Sequence, residues 1–118
     1  MIRLEPWNDF AERAIARIEG ACVVDIRREV QIGRSQLWHC SRNRKHGYVV
    51  TRLEQRESGR EWVLVAGVGK GFHEFVPFFI AAAAQVGLPL RAHVSRPGLV
   101  RMYARHGFRV SEQVVRKT

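Results

Sequence analysis

Ser95-Arg96-Pro97-Gly98, followed by Met102-Tyr103-Ala104-Arg105-His106-Gly107-Phe108, decides the fold of this chain. The stretch reads as the exit of a strand, a short helix and a helix stop. Leu90-Arg91-Ala92-His93-Val94 before it alternates in the period of a strand with one buried face. Pro97 suits the first turn of a helix, where a missing N–H costs nothing. The spacing predicts a helix over 97–106 capped by Gly107, with Phe108-Arg109-Val110 opening the last strand or strands. A Tyr near the end of this helix, and an aromatic residue directly after its glycine, form the most specific local pattern in the sequence.

Reading backwards, Gly87 and Pro89 close an apolar, Ala-rich helical segment over 72–86. Pro77 lies inside it and is cheap only in a first turn, so the regular helix is expected to start near Glu74 or to kink. Gly67-Val68-Gly69-Lys70-Gly71 reads as a glycine-rich turn leaving the strand Trp62-Val63-Leu64-Val65-Ala66. That strand is almost continuously apolar, which implies burial on both faces and a central position. Tyr48-Val49-Val50-Thr51-Arg52-Leu53 and Leu37-Trp38-His39-Cys40 are further strands. Short turns at 43–47 and 57–60 join the three into an antiparallel meander.

The first strand is Met1-Ile2-Arg3-Leu4-Glu5, ended by Pro6. Asp9 then begins a helix, with Asp9 and Glu12 at capping-box spacing. Phe10, Ala14, Ile15 and Ile18 form its apolar face and Gly20 its stop. Residues 22–33 fit two periods. Val23, Ile26 and Val30 make a helical stripe; Val24, Ile26, Val30 and Ile32 suit a strand. A short helix ending at Gly33 is the preferred reading. The order is β-α-α-β-β-β-α-β-α-β, an α/β fold with a mixed sheet and helices on both faces.

With 118 residues and 46% hydrophobic composition, the chain is read as one globular domain over 1–118, not a disordered one. Its longest apolar stretch, 75–84, is half of the ~20 residues that span a membrane. The N-terminus lacks the basic region and apolar core of a secretory leader, so a cytoplasmic protein with reduced thiols is expected. Cys22, beside Val23 and Val24, is read as a small buried hydrophobe. The net charge of +9 comes mostly from Arg. It points to an anionic partner (nucleic acid, the phosphates of coenzyme A or an acidic protein surface) or to a solvated basic surface.

The order of elements, with Met102-Tyr103 and Gly107-Phe108 after the last helix, resembles the GNAT (Gcn5-related N-acetyltransferase) fold. The opening Met1-Ile2-Arg3 strand with Asp9 behind it is similar to many family members. Gln36-Leu37-Trp38 and Arg96-Pro97-Gly98 also look like the short GNAT-like proteins of bacteriophages and prophages. The resemblance implies an N-acyltransferase that moves an acetyl group from acetyl-CoA to an amine. It implies that the co-substrate enters between two parallel strands, Trp62-Val63-Leu64-Val65-Ala66 and Leu90-Arg91-Ala92-His93-Val94. The binding residues are then Ala66, Gly67, Val68, Gly69, Lys70 and Gly71, with Arg96. Glycines and helix N-terminal N–H groups would receive the pyrophosphate there. Tyr103 aligns with the family Tyr that protonates the departing thiolate. Glu61, opening the fourth strand, is the candidate general base, with Glu54 as its neighbour on the third.

The sequence departs from the family pattern at three places. The family's Arg or Gln ahead of its glycine pair is replaced by Ala66 or Leu64, its Asn seven residues before the Tyr by Arg96, and only ten residues follow Phe108. These departures keep two other readings open. One is a catalytically degenerate virion or assembly protein of phage type, with a subunit or virion partner. The other is a nucleic-acid binder using Arg42, Arg44, Lys45, Arg52, Arg56 and Arg60. His39, His73, His93 and His106 are further bases in principle. Their spacings, with Cys40 and His46, make no zinc pattern.

Overall fold

The computed structural model describes residues 1–18, 20–92 and 97–108. Its elements are β1 (Ile2–Glu5), α1 (Asp9–Ile15), α2 (Val23–Gln31), β2 (Ser35–Arg42), β3 (Lys45–Arg56), β4 (Gly59–Gly69), α3 (Val76–Gln85), β5 (Leu90–Ala92) and α4 (Pro97–Arg105). A single 3₁₀ turn, Phe72–Glu74, precedes α3. The five strands form one sheet in the order β1-β2-β3-β4-β5. β1 to β4 pair antiparallel and β5 joins β4 in parallel. The final strand expected after Phe108, and His93, Val94, Ser95 and Arg96, lie outside the described residues.

Alternation along the strands builds a core on each face. Cys40, Val49 and Leu64 join Phe75, Val76 and Phe79 at α3 and Tyr103 of α4. Leu37 and Val50, one step out of phase, join Ala11 and Ile15 of α1, with Val23, Ile26 and Val30 of α2 packed against them. Helices therefore cover both faces, and the helical stripe of α2 prevails over the strand reading.

The pairing of β3 with β4 slips once. Val50 faces Ala66, but Thr51 faces Leu64. Val65 is thus the extra residue of a β-bulge, which bends the strand and sharpens its twist. As the bulge demands, the consecutive residues Val65 and Ala66 both pack on the α1/α2 cluster. The described pairing with β5 runs from Trp62↔Leu90 to Leu64↔Ala92, immediately before the bulge.

The Tyr103, Gly107, Phe108 pattern is a helix cap. Phe108 N–H donates to Tyr103 C=O (3.1 Å), and Gly107 N–H donates to Ala104 C=O (3.0 Å). Gly107 has φ +90°, the left-handed conformation this Schellman closure needs. The aromatic residue after the glycine then falls on the ring three positions inside the helix: Tyr103 and Phe108 centroids are 5.0 Å apart. α2 and α3 end in the same way at Gly33 and Gly87.

Five local expectations are corrected. The cap of α1 is Asn8, whose side chain accepts from Ala11 N–H (3.0 Å), so Asp9 is already inside the helix. Glu12 instead accepts from Trp7 Nε1 (3.1 Å) and Arg27 (2.9 Å). With that start the buried face is Ala11 and Ile15; Phe10 is 70% exposed beneath the Arg13 guanidinium, and the helix ends at Ile15. β4 runs through Gly69, so Gly67 and Val68 are strand and the turn is confined to Lys70 and Gly71. α3 starts at Val76, which puts Pro77 in its first turn. Cys22 is exposed at the start of α2, not buried.

Cys40, by contrast, is fully buried, and burial pushes its thiol up to about 12 against a small opposing pull from the chain N-terminus. The thiolate is the nucleophile. Native protein at pH 8 is therefore expected to react with a chromogenic disulfide at Cys22 alone, Cys40 reacting only on unfolding. Rapid labelling of both thiols in native protein would contradict this packing.

Candidate active site

The end of β4 is built by close approach of main chains. Gly69 pairs with Gly47 of β3, and a Cβ on Gly69 would stand 2.5 Å from Gly47 Cα and from His46 O. A Cβ on Gly47 would stand 2.6 Å from Val68 O. Gly67 lies under the ring of Phe72, which leaves no room for a side chain. At Gly71 (φ +77°) a Cβ would meet Lys45 Cδ and Glu74 Oε2. Gly69 is thus required by packing on β3 and Gly67 by the Phe72 ring, while Gly71 is required by its positive φ, whatever else they do.

After Gly71 the 3₁₀ turn closes through Glu74 N–H to Gly71 C=O and Phe75 N–H to Phe72 C=O, both 2.9 Å. The first amides of such a turn have no partner of their own within it. Lys70 is exposed at its entrance. Lys45 Nζ is 2.8 Å from Glu74 Oε2. The Lys45 hydrogen bond holds the Glu74 carboxyl below the usual range against its burial, with Lys45, His73 and Arg42 adding positive field. Arg42, Lys45 and His73 thus surround this turn with positive charge.

Tyr103 is 6% exposed, edge-on to Phe72 (6.4 Å) and to Phe108. It shares its cluster with Leu64, the last residue before the bulge. Burial pushes its phenol up, so at neutral pH it carries its proton and is a hydrogen-bond donor. Phe72 joins the two halves of the predicted site, covering Gly67 on one side and touching Tyr103 on the other.

Glu61 stands elsewhere. It is eight residues before Gly69, on the order of 25 Å along a strand. Its Oε1 is 2.5 Å from Arg56 Nε and 3.0 Å from Arg91 Nε. The Arg91 contact is off the hydrogen-bond direction and acts as an ion pair. Glu54 contacts Arg91 (2.6 Å) and Arg52 (2.5 Å), and Arg52 continues to Glu29 (2.7 Å). Burial would raise Glu29, but hydrogen bonds from Arg52 and Ser35 outweigh it and hold the carboxyl low. This chain of charges ties α2, β3, β4 and β5 together at the end of the sheet away from Gly69. The structure therefore places Glu61 far from the glycine turn and in contact with two arginines.

The arginines expected to form a nucleic-acid track also divide. Arg42, Arg44 and Lys45 sit at the β2–β3 turn, while Arg52 and Arg56 sit toward the other end of β3 in contact with glutamates. Two open depressions, of about 560 and 450 Å³, lie along the β3–β4 hairpin at Gln55, Arg56, Glu57 and Ser58 and beside Arg34 and Arg52; Tyr103 lines neither. Among the described residues no cluster of His, Cys, Asp and Glu could hold a metal ion, and no helix is long and apolar enough to cross a membrane.

No family model and no curated protein matches the chain. Solved structures do. The tetramutant of the BH1408 protein from Bacillus halodurans is similar at TM-score 0.72 and 13% identity, over 100% of this chain and 99% of that one. The aminoglycoside antibiotic 6'-N-acetyltransferase AAC(6')-IG from Acinetobacter haemolyticus is similar at TM-score 0.66 and 8% identity, over 98% and 97%. A probable acetyltransferase is similar at TM-score 0.58 and 14% identity, over 81% and 73%. At such identities the likeness concerns the fold, which is the mixed α/β fold of the GNAT acetyltransferases.

Proposed function

We propose that the chain is an N-acyltransferase that moves an acetyl group from acetyl-CoA to an amine. One observation carries the reading: the bulge at Val65 bends β4 directly after its last described pair with β5, with Tyr103 in the cluster beside Leu64. In this reading the main chain of Ala66, Gly67 and Val68 lies along the pantetheine arm. Amides from Gly69 to Gly71, with the Lys70 ammonium, receive the diphosphate. Arg96 adds a second positive charge. Tyr103 donates a proton to the departing thiolate. Attack is direct, so positioning and charge stabilisation supply the rate, with no covalent enzyme intermediate. The acetyltransferase neighbours support the reading at the level of fold.

Titration calorimetry with acetyl-CoA tests it. Gly69 and Gly71 are poor sites for the test, because a side chain at Gly69 collides with the β3 backbone and one at Gly71 is strained by its positive φ. Lys70→Glu on the exposed turn is the informative variant. Submillimolar binding is expected, weakened about ten-fold in Lys70→Glu, the ~1.4 kcal/mol of one charge-assisted contact. Wild-type protein that takes up no acetyl-CoA at millimolar concentration overturns the reading. That result leaves a GNAT-type scaffold without this chemistry, the phage-type alternative that the Ala66 and Arg96 departures favour.

A further inference from the structure

The β2–β3 hairpin carries cations with no role in the site above. Arg42 and Lys45 are the last ladder pair before its two-residue loop, Asn43-Arg44. Cys40 and Val49 pack on the α3/α4 face. Strand side chains return to one face at every second residue, so Arg42 and Lys45 fall on that face too. The Lys45 ion pair with Glu74 agrees with this phase. Arg42 and Arg44 are exposed, and among the described residues neither forms an ion pair. Arg52, Arg56 and Arg91, toward the other end of the sheet, are instead held by glutamates.

The loop holds its second residue in an unfavoured conformation. Asn43 has φ +50° and Arg44 φ +65°, and among the described residues no others besides glycine have positive φ. Positive φ at both loop positions is the mark of a type I′ turn, for which Asn-Gly is the favoured pair. Asn43 fits that preference. Arg44 stands where glycine is free of strain and where a side chain crowds its own main chain. The hairpin therefore presents a guanidinium at a position where folding alone favours none. Backbone outliers of this kind collect at ligand sites.

This hairpin touches the proposed diphosphate turn directly. A Cβ on Gly71 would stand 2.7 Å from Lys45 Cδ, and Gly47, two residues further along β3, faces Gly69. Arg42 is the ladder partner of Lys45, with Cα atoms about 5 Å apart, and its positive field reaches Glu74 in the 3₁₀ turn. The geometry points to Arg42 and Arg44 as the site of a phosphomonoester, the 3′-phosphate of coenzyme A, and so as the residues that tell coenzyme A from its 3′-dephospho form. This rests on the acyltransferase reading.

The chemistry of the ligand links the two phosphate groups. The 3′-phosphate and the 5′-diphosphate hang on one ribose. A ligand whose diphosphate rests on the amides of Gly69 to Gly71 therefore brings its phosphomonoester within a side chain's length of that turn. Near neutral pH the monoester is close to doubly charged, and its free oxygens match the paired N–H groups of a guanidinium. Lys45 is already committed to Glu74, whereas Arg42 and Arg44 bring two uncommitted charges. No bond is made or broken there, so the contribution is to affinity and not to kcat.

Calorimetry with acetyl-CoA and its 3′-dephospho analogue tests the assignment. Wild-type protein is expected to bind acetyl-CoA about ten-fold more tightly than the analogue. Arg42→Gln and Arg44→Gly should each weaken acetyl-CoA and leave the analogue unchanged, and the double variant should bind the two alike. Arg44→Gly has a second readout. Its urea midpoint should be no lower than that of the wild type, because glycine adopts positive φ without strain. A lower midpoint with the preference kept returns Arg44 to the turn and removes it from the site. Wild-type protein that binds both thioesters equally, at submillimolar concentration, overturns the assignment and leaves the acyltransferase reading standing. Variants that weaken both thioesters alike do the same, since the arginines then act on the diphosphate or through the fold. Wild-type protein that binds neither thioester overturns both.

Discussion

Tyr103→Phe is expected to lower kcat for acetyl-CoA-dependent acyl transfer by about 10²- to 10⁴-fold, the range for losing a positioned proton donor. The hydroxyl is the only group removed. The ring keeps its edge contacts with Phe72 and Phe108, and the cap of α4 keeps its main-chain bonds. Substrate affinity should therefore hold, and the loss should fall on kcat and kcat/KM alike, as for an interaction made only in the transition state. Stability gives an independent readout. Burial raises the phenol above its ordinary value of 10.0. A group whose folded pKa is raised favours folding below its unfolded value and loses that contribution as the pH rises through the folded one. Wild-type protein should thus weaken above about pH 10, and Tyr103→Phe should weaken less there. Tyr48, also raised by burial, keeps part of the alkaline loss in the variant. Undiminished kcat in a folded Tyr103→Phe protein would leave Tyr103 as a packing residue only.

The same residue shows what can be read from the sequence and what cannot. Tyr103, Gly107 and Phe108 are legible because a Schellman cap is local: the glycine, the helix end and the aromatic pair lie within six residues. The meander is legible for a similar reason, since period-two patterning and short turns fix neighbouring strands. The cap of α1 was not decidable locally. Asn8 and Asp9 both cap well, and the choice is made by Trp7 and Arg27 claiming Glu12. The packing demands on the glycine cluster are not legible in the sequence, because their causes are distant along the chain. Gly69 is pressed on β3 and Gly67 is covered by Phe72. The ion pairs of Glu61 are equally hidden in the sequence, because Arg56 and Arg91 reach it only after β3, β4 and β5 pair. Glu5, His39 and His46 likewise come into contact only through the register of three strands, and no spacing between them announces it.

Phe79→Ala is expected to cost about 3–5 kcal/mol, a large share of the ~5–15 kcal/mol that holds such a domain together. Phe79 is 1% exposed and is the largest of the fully buried side chains. Its ring sits 6.0 Å from Trp38 and 5.7 Å from Trp62, which are themselves 6.4 Å apart edge to face. The two tryptophans come from β2 and β4, so a single residue of α3 ties the helix to two strands flanking β3. The site cannot close over a void. Trp38 is held by its Nε1 donating to Thr51 Oγ1 (2.8 Å), and Thr51 in turn donates to Gln36 Oε1 (2.9 Å). With one wall fixed, truncation leaves a cavity that does not collapse, and the cost falls at the upper end of the range. Phe78, its neighbour on α3, is 46% exposed and supplies the control; Phe78→Ala should cost about 1 kcal/mol or less. Urea denaturation followed by tryptophan fluorescence separates the two, since Trp38 and Trp62 both report on the Phe79 contact. Equal losses in the two variants would mean that α3 is not anchored to the sheet through Phe79. The turn from Lys70 to Glu74 would then have no fixed support beneath the proposed diphosphate site.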